Sequence, residues 1–381
     1  MTATLLAAFT AVAAAIIPTL VFASRGAGVR LMALVAGSAA GCVVLFIAGA
    51  DLEQAARETV PLVLIVGYSL VASVIARSGT ARALAAPFAS SPLWVFAIAA
   101  SLTLITSNDT VILTLAPLAL LSARPAHAAA ALFVGANVSA ALLPQASPTN
   151  MMLASVNELS FREYVAMAAP VGFAMIAVAA LAVAACLRPA GNTGSARPRP
   201  PLSRDERLVL VAAALAVAAQ PAADALGLET AGLGVVVALW ALLLAKLVGV
   251  PVGRVLGDGA WLVLPVSLVM LGAGGLLAPA FPSGGAGVLA LFASAGVTTD
   301  LAAAATGAHL SAAGAVPVAG VLIAVTAGAF LSPIGSLSGL LLYQQFHLCR
   351  VRVPYLLVYG FASCVAVAAL TAGVAILWLT P

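Results

Sequence analysis

Ser107-Asn108-Asp109-Thr110 and Thr298-Thr299-Asp300 each interrupt a long apolar run, Leu93 to Leu121 and Val288 to Ala313. An ionised side chain in hydrocarbon costs at least ~2.5 kcal/mol, so an acid that persists there faces a wet cavity, a counter-charge or a bound ion. No Lys or Arg lies in either run, which removes the structural ion pair as an explanation. Two acids of this kind, one in each half of the chain, point to a transport site.

Around these breaks the chain is built for lipid. With 64% hydrophobic and 7% charged residues it lacks the polar surface to cover a soluble globule, and apolar stretches of membrane-spanning length recur throughout. The expected fold is therefore an all-α polytopic membrane protein. Leu5 to Phe22 has no basic residue ahead of it and no small-residue cleavage site before Arg25, so it reads as a first span rather than a cleaved leader. The net charge of +4 is spread between spans with no aromatic-interleaved patch, which argues against nucleic acid as a partner. Cys42, Cys186, Cys349 and Cys364 have neither CxxC nor Cys/His metal spacing. No metal site and no bound cofactor is expected.

Charge and breaker residues divide the rest. Leu31 to Gly49 and Val60 to Ala76 complete the first three spans, and the Leu93 to Leu121 run follows. Ala128 to Ser155 is broken around Pro144-Gln145-Ala146-Ser147-Pro148-Thr149-Asn150, and Tyr164 to Leu187 ends the first half. Residues 188–207, with five arginines and several Gly and Pro, read as a cytoplasmic linker. Leu208 to Ala223, Ala231 to Val248 and Ala260 to Leu277 then precede the second broken run. Val316 to Phe346, broken at Ser332-Pro333-Ile334-Gly335-Ser336, and Pro354 to Leu379 finish the chain. Residues 1–187 and 208–381 thus repeat one order: three spans, two broken runs, one span. Gly/Pro-interrupted segments at matching positions of two repeats are a pointer to a transporter binding site.

If the first broken run of each half is a re-entrant hairpin, each half crosses five times and the second repeat is inverted. With the amino terminus outside, fourteen of the sixteen basic residues then fall on the cytoplasmic side, leaving only Arg57 and Arg162 outside. Treating both broken runs as full spans scrambles that bias. Multi-pass insertion in the plasma or inner membrane follows.

The residues able to hold a solute are those of the four breaks, where interrupted helices free backbone groups that lipid cannot satisfy. They are Ser107, Asn108, Asp109 and Thr110; Ser147, Thr149 and Asn150; Thr298, Thr299 and Asp300; and Ser332, Gly335 and Ser336. His127, His309 and His347 fall near element ends and read as interfacial. There is no Ser/His/Asp spacing and no phosphate-binding loop, so neither an intramembrane enzyme nor an ATP-driven pump on this chain is favoured.

The stretch Thr106-Ser107-Asn108-Asp109-Thr110-Val111-Ile112-Leu113-Thr114-Leu115-Ala116-Pro117 resembles the Asn-Asp hairpin of arsenite permeases. Ser332-Pro333-Ile334-Gly335-Ser336-Leu337-Ser338-Gly339-Leu340-Leu341 resembles their late Gly-Ser-Leu-Ala-Thr segment, and Val60 to Gly79 their third span. This likeness places the chain in the ion transporter superfamily, with its sodium-coupled dicarboxylate carriers and sodium/proton antiporters. It implies two inverted repeats with re-entrant hairpins and often a homodimer working like an elevator. Thr298-Thr299-Asp300 departs from the asparagine-rich second hairpin of the permeases. The resemblance implies efflux of arsenite or antimonite, coupled to protons or membrane potential, with Asp109 as the coupling site. The alternative is a sodium/proton antiporter or a sodium-coupled dicarboxylate carrier of the same superfamily, so the partner is a small inorganic or organic anion or a cation with H+ or Na+ as coupling ion, and a separate ATPase subunit stays open.

Overall fold

The computed structural model describes residues 2–21, 27–80, 91–120, 122, 124–187, 203–258, 261, 263–333, 335–348 and 354–379. The expected linker as far as residue 202, Ile334 of the last break, and Arg25, Arg82, Arg188, Arg197, Arg199, Arg350 and Arg352 of the charge argument lie outside the described residues.

Among the described residues every regular element is helical. The first two apolar runs form α1 (Thr2–Val21) and α2 (Ala27–Ile47). The third begins earlier than its hydropathy suggests. Asp51 accepts from the Gln54 amide and starts α3 (Leu52–Thr59), which passes through a 3-10 turn at Val60–Leu62 into α4 (Val63–Arg77). Pro61 in that turn has no amide to offer, so the chain tightens there without ending.

The Leu93 to Leu121 run divides into α5 (Pro92–Ile105) and α6 (Asn108–Leu120). The next divides into α7 (Pro125–Ala140), a 3-10 turn at Pro144–Ala146 and α8 (Pro148–Val156). Proline stands at the start of α5, α7 and α8, where its missing amide is one the helix has no use for. A Ser160/Glu163 capping box opens α9 (Phe161–Cys186).

Beyond the linker, Ser203 and Glu206 exchange the same pair of bonds and start α10 (Arg204–Ala225), so the last residues of the expected linker are helical. There follow α11 (Thr230–Leu247), the short α12 (Val252–Asp258) and α13 (Val263–Leu277). The second broken runs give α14 (Gly284–Val297) with α15 (Asp300–Ala312), then α16 (Val318–Gly328) with α17 (Leu337–Leu348). α18 (Tyr355–Leu379) closes the chain.

Five described helices are long and apolar enough to cross a membrane: Leu52–Arg77, Phe161–Cys186, Thr230–Leu247, Val263–Ala280 and Tyr355–Trp378. The arms α5 and α14 are equally apolar, but at 14 residues each they reach only about 21 Å, short of the ~30 Å hydrocarbon layer. The surface is inverted relative to a soluble protein. Leu356 and Trp378 are 87% and 86% exposed, whereas Asn137, Gln145 and Asp300 are buried. Such an exterior fits an all-helical protein solvated by lipid.

The two halves exchange helices. α4 of the first half packs against α10 and α11 of the second, and α13 of the second packs against α1 and α2 of the first. Tyr68 of α4 donates to the Ala216 carbonyl of α10 at 2.8 Å, which pins one side of the exchange. At the other, Glu58 of α3 lies 3.9 Å from His309 of α15, and that ring bonds the Leu271 carbonyl of α13 at 3.1 Å. Asn157 and Ser155 add bonds to the Ala308 and Glu58 carbonyls at the same end of the bundle.

Each first hairpin arm is seated against the span that follows it through a glycine. A Cβ on Gly135 of α7 would stand 2.7 Å from the Phe96 carbonyl of α5, and one on Gly328 of α16 would stand 2.5 Å from the Phe292 carbonyl of α14. Both obstacles are backbone and cannot swing aside. We expect Gly135→Val and Gly328→Val each to destabilise by about 1–3 kcal/mol or more through overpacking, seen as a lower thermal-unfolding midpoint in detergent. Gly232→Val, which meets nothing within 4 Å, serves as the control and should move the midpoint far less.

Candidate functional site

The four breaks meet. Residues 106–107 separate α5 from α6, and residues 298–299 separate α14 from α15. Ser107 caps α6: its hydroxyl sits 3.0 Å from the Thr110 hydroxyl and accepts from the Thr110 amide at 3.4 Å. Asn108 accepts from the Asp109 amide at 2.9 Å. Its own side-chain amide donates to Asn137 Oδ1 at 2.9 Å, which ties the tip to the last turn of α7.

Asn137 is the hinge of the network. Its Oδ1 also accepts from Ser338 Oγ at 2.8 Å, and its amide donates to the Phe133 carbonyl one turn back at 2.8 Å. Because Ser338 spends its proton on Asn137, the 2.9 Å contact between Ser336 and Ser338 has Ser336 as donor, while Ser336 accepts from the Gly339 amide at 3.0 Å. One polar chain therefore joins the first hairpin, the first broken span and the last break. Edge-on rings of Phe133 against Phe330 and Tyr359, with centroids 5.8 and 5.5 Å apart, clamp the same junction on its apolar side.

In the first broken span, Asn150 donates to the carbonyls of Ala140 at 2.6 Å and Leu143 at 3.2 Å, supplying partners to the frayed end of α7. Ser147 and Thr149 hydroxyls lie 2.8 Å apart at the start of α8. On the opposite side, Thr299 donates to the Asp300 carboxylate at 3.2 Å, and the Asp300 amide donates to the Gly335 carbonyl at 2.8 Å. The second hairpin is thus fastened to the last break through backbone. Asp109, partly buried, accepts no side-chain bond from the described residues, and it is near enough to Asp300 for the two charges to repel.

A small polar cavity lies between these groups. Asn108, Ser147, Thr149, Asn150 and Asp300 line it, together with Asn137, Ala140, Val325, Thr326 and Ala329. It offers about 10 Å³ to the centre of a water-sized sphere, roughly one water or one bare monovalent cation. No Lys, Arg or His is among its lining residues, and no group of three metal-ligating side chains occurs among the described residues.

Of the residues singled out from sequence, five line the cavity; Thr299 and Gly335 bond Asp300, Ser336 reaches Asn137 through Ser338, Ser107 and Thr110 bond each other at the first tip, and Asp109 is not part of the lining. Two serve the backbone instead: Thr298 bonds back to the Ser294 carbonyl at 2.7 Å, and Ser332 donates to the Gly296 carbonyl at 2.6 Å. Asn137 and Thr326 were missed. Each lies in the last turn of its helix, several residues ahead of the proline that marks the break, although a lone asparagine in an apolar run carries the same signal that marks Asp109.

A scan against protein-family models finds no match to the chain, and a search of curated proteins finds none either.

Truncating Asn137 leaves Asn108 Nδ2 and Ser338 Oγ buried without their acceptor, at about 1–3 kcal/mol for each orphaned group. Asn137→Ala should therefore lower the unfolding midpoint more than Thr298→Ala, whose hydroxyl serves only its own helix. Equal midpoints for the two variants count against the network.

Proposed function

We propose that the protein is a secondary active transporter and that the polar cavity holds its coupling cation, H+ or Na+. The observation that carries this reading is Asp300 on the cavity wall among neutral oxygens and amides rather than basic side chains, with Asp109 of the other hairpin tip within electrostatic reach of it. Two like charges in a low-dielectric site repel strongly, and a cation held beside Asp300 relieves the repulsion.

Helix ends leave that balance unchanged. Each break brings one helix carboxyl end and one helix amino end to the centre: α5 with α6, α7 with α8, α14 with α15, α16 with α17. The negative and positive half-charges cancel to first order, so the carboxylates remain as the net charge of the site. A dicarboxylate cargo is poorly matched to the charge of such a site.

Support for two inverted repeats comes from connectivity. The broken spans α7/α8 and α16/α17 each follow a short hairpin, α6 packs on α17 and α15 packs on α8 in reciprocal fashion, and α4 and α13 change places between halves. A site at the joint of two such halves suits alternating access. The resemblance of the Asn108-Asp109 hairpin to arsenite permeases favours a small neutral oxyacid, arsenite or antimonite, as cargo. The cavity in this structure is too small for such a solute, so its hydroxyls would meet Ser147, Thr149 and Asn150 only in a state in which the breaks have moved apart. The acid pair equally favours a sodium/proton antiporter, in which the cation is itself the cargo.

Purified protein in liposomes, loaded with a pH-sensitive dye and given imposed pH or sodium gradients with and without arsenite, separates these readings. We expect Asp109→Asn to abolish coupled flux, a drop of at least about 100-fold for loss of an essential charged group, with the unfolding midpoint retained. Full flux in that variant overturns the assignment.

A further inference from the structure

Gln145 stands apart from every other polar residue at the breaks. It is wholly buried at the centre of the 3-10 turn Pro144–Ala146, and neither its carbonyl oxygen nor its amide nitrogen has a hydrogen-bond partner among the described residues. Its neighbours at the same break, Ser147, Thr149 and Asn150, are all bonded. A primary amide buried with its bonds unmade is destabilising, whereas an apolar side chain of the same shape is not. Packing therefore gives no reason for glutamine at this position.

Gln145 lines no cavity itself, but its neighbours in the chain reach two: Ser147 lines one and Pro144 the other. On one side lies the polar cavity lined by Ser147, Thr149 and Asn150. On the other is a larger space of about 60 Å³, enough for several waters. It reaches inward to Pro144, the residue before Gln145, and outward to Leu159, Ser160 and Phe161 on the α8–α9 connection and to Leu228 and Thr230 on the α10–α11 connection. Met151 and Ala154 of α8 line the larger cavity while Thr149 and Asn150 line the smaller. The turn and the first part of α8 thus separate an opening at one end of the bundle from the acid pair.

The geometry points to Gln145 as a relay site on the solute path: a small cation or neutral polar solute entering by the larger cavity exchanges its water for the Gln145 carbonyl or amide before reaching the polar cavity. An amide suits this step because it offers both a donor and an acceptor and adds no charge to hold a cation back. The inference rests on the transport reading, and adds to it an entry route and a residue on that route.

Two measurements test it. In a background with the four native cysteines replaced, Gln145→Cys is treated with a small cationic methanethiosulfonate reagent from each face of sealed vesicles. We expect modification from the face bearing the 157–161 and 226–230 connections. Ser160→Cys should react from that same face, and Ala130→Cys, buried in α7, should not react. Failure of Gln145→Cys to react from either face, with Ser160→Cys modified, overturns the path.

Gln145→Met keeps the shape of the side chain and removes the amide. We expect its flux to fall at least tenfold while its unfolding midpoint stays level or rises. A lowered midpoint with flux intact identifies a structural, water-bonded amide and overturns the relay. Labelling reports the path without reference to cargo. If Asp109→Asn abolishes flux and Gln145→Met does not, the relay alone fails; if Asp109→Asn leaves flux unchanged, the transport reading fails with it.

Discussion

An interrupted helix inside an apolar bundle has to find partners for its frayed amides and carbonyls within the protein itself, and that constraint organises the centre of this molecule. Eight helix ends converge there. Water in bulk is not available to them, so each side chain at a break is recruited by backbone before it can do anything else. Asn150 serves the end of α7, Ser107 the start of α6, Ser332 the end of α14 and Ser336 the start of the last helix pair. The Asp300 amide is answered by the Gly335 carbonyl. What survives this pairing as free chemistry is small: the two carboxylates, the outward lone pairs of a few hydroxyls, and Gln145.

The same constraint explains why the breaks occur together. One break alone would leave donors at one helix end and acceptors at the other, facing the wrong way to satisfy each other. Bringing each hairpin tip against the broken span of its own half supplies the complement, as Asn108 does with Asn137 and Asp300 with Gly335, and Ser338 then ties the two halves together through Asn137. α6 also packs on α17 and α15 on α8, and Asn108 of α6 and Ser338 of α17 share Asn137 as their acceptor. Phe133, Phe330 and Tyr359 then close the apolar side and fix the distance between the halves.

Much of this was legible in sequence because breaker chemistry is local. Pro144, Pro148 and Pro333 cannot continue a helix, and Asp109 and Asp300 cannot sit in lipid unassisted, so the positions of the breaks could be read directly. The helices beyond them were less accessible. Residues 51–58 carry Asp51, Glu53, Arg57 and Glu58 and read as a loop, yet Asp51 caps a helix there that runs on into the membrane. Ser203 and Glu206 form a capping box whose sequence signature lay inside a segment whose prolines and arginines suggested linker throughout. Asn137 was hidden for a different reason: hydropathy averages a single asparagine away among alanines and valines, and its role depends on residues 29 and 201 positions distant.

The exchange of α4 and α13 between halves bears on how a cavity at the joint can work. Neither half carries its third span against its own first two, so neither buries its apolar faces alone, and the pair folds as one unit. The hairpins and broken spans are different. They are short, they end at the centre, and they touch the exchanged helices mostly through glycine-lined or polar contacts such as the Glu58 to His309 approach. Apart from α15 along α13, the interrupted elements touch the exchanged helices sparingly, so the molecule divides into that frame and a second part joined to it by few contacts. Lower local stability of that kind is where conformational change is drawn from. The acid pair sits on the second part, so any displacement of a hairpin alters the distance between Asp109 and Asp300, and with it the charge the site is able to hold.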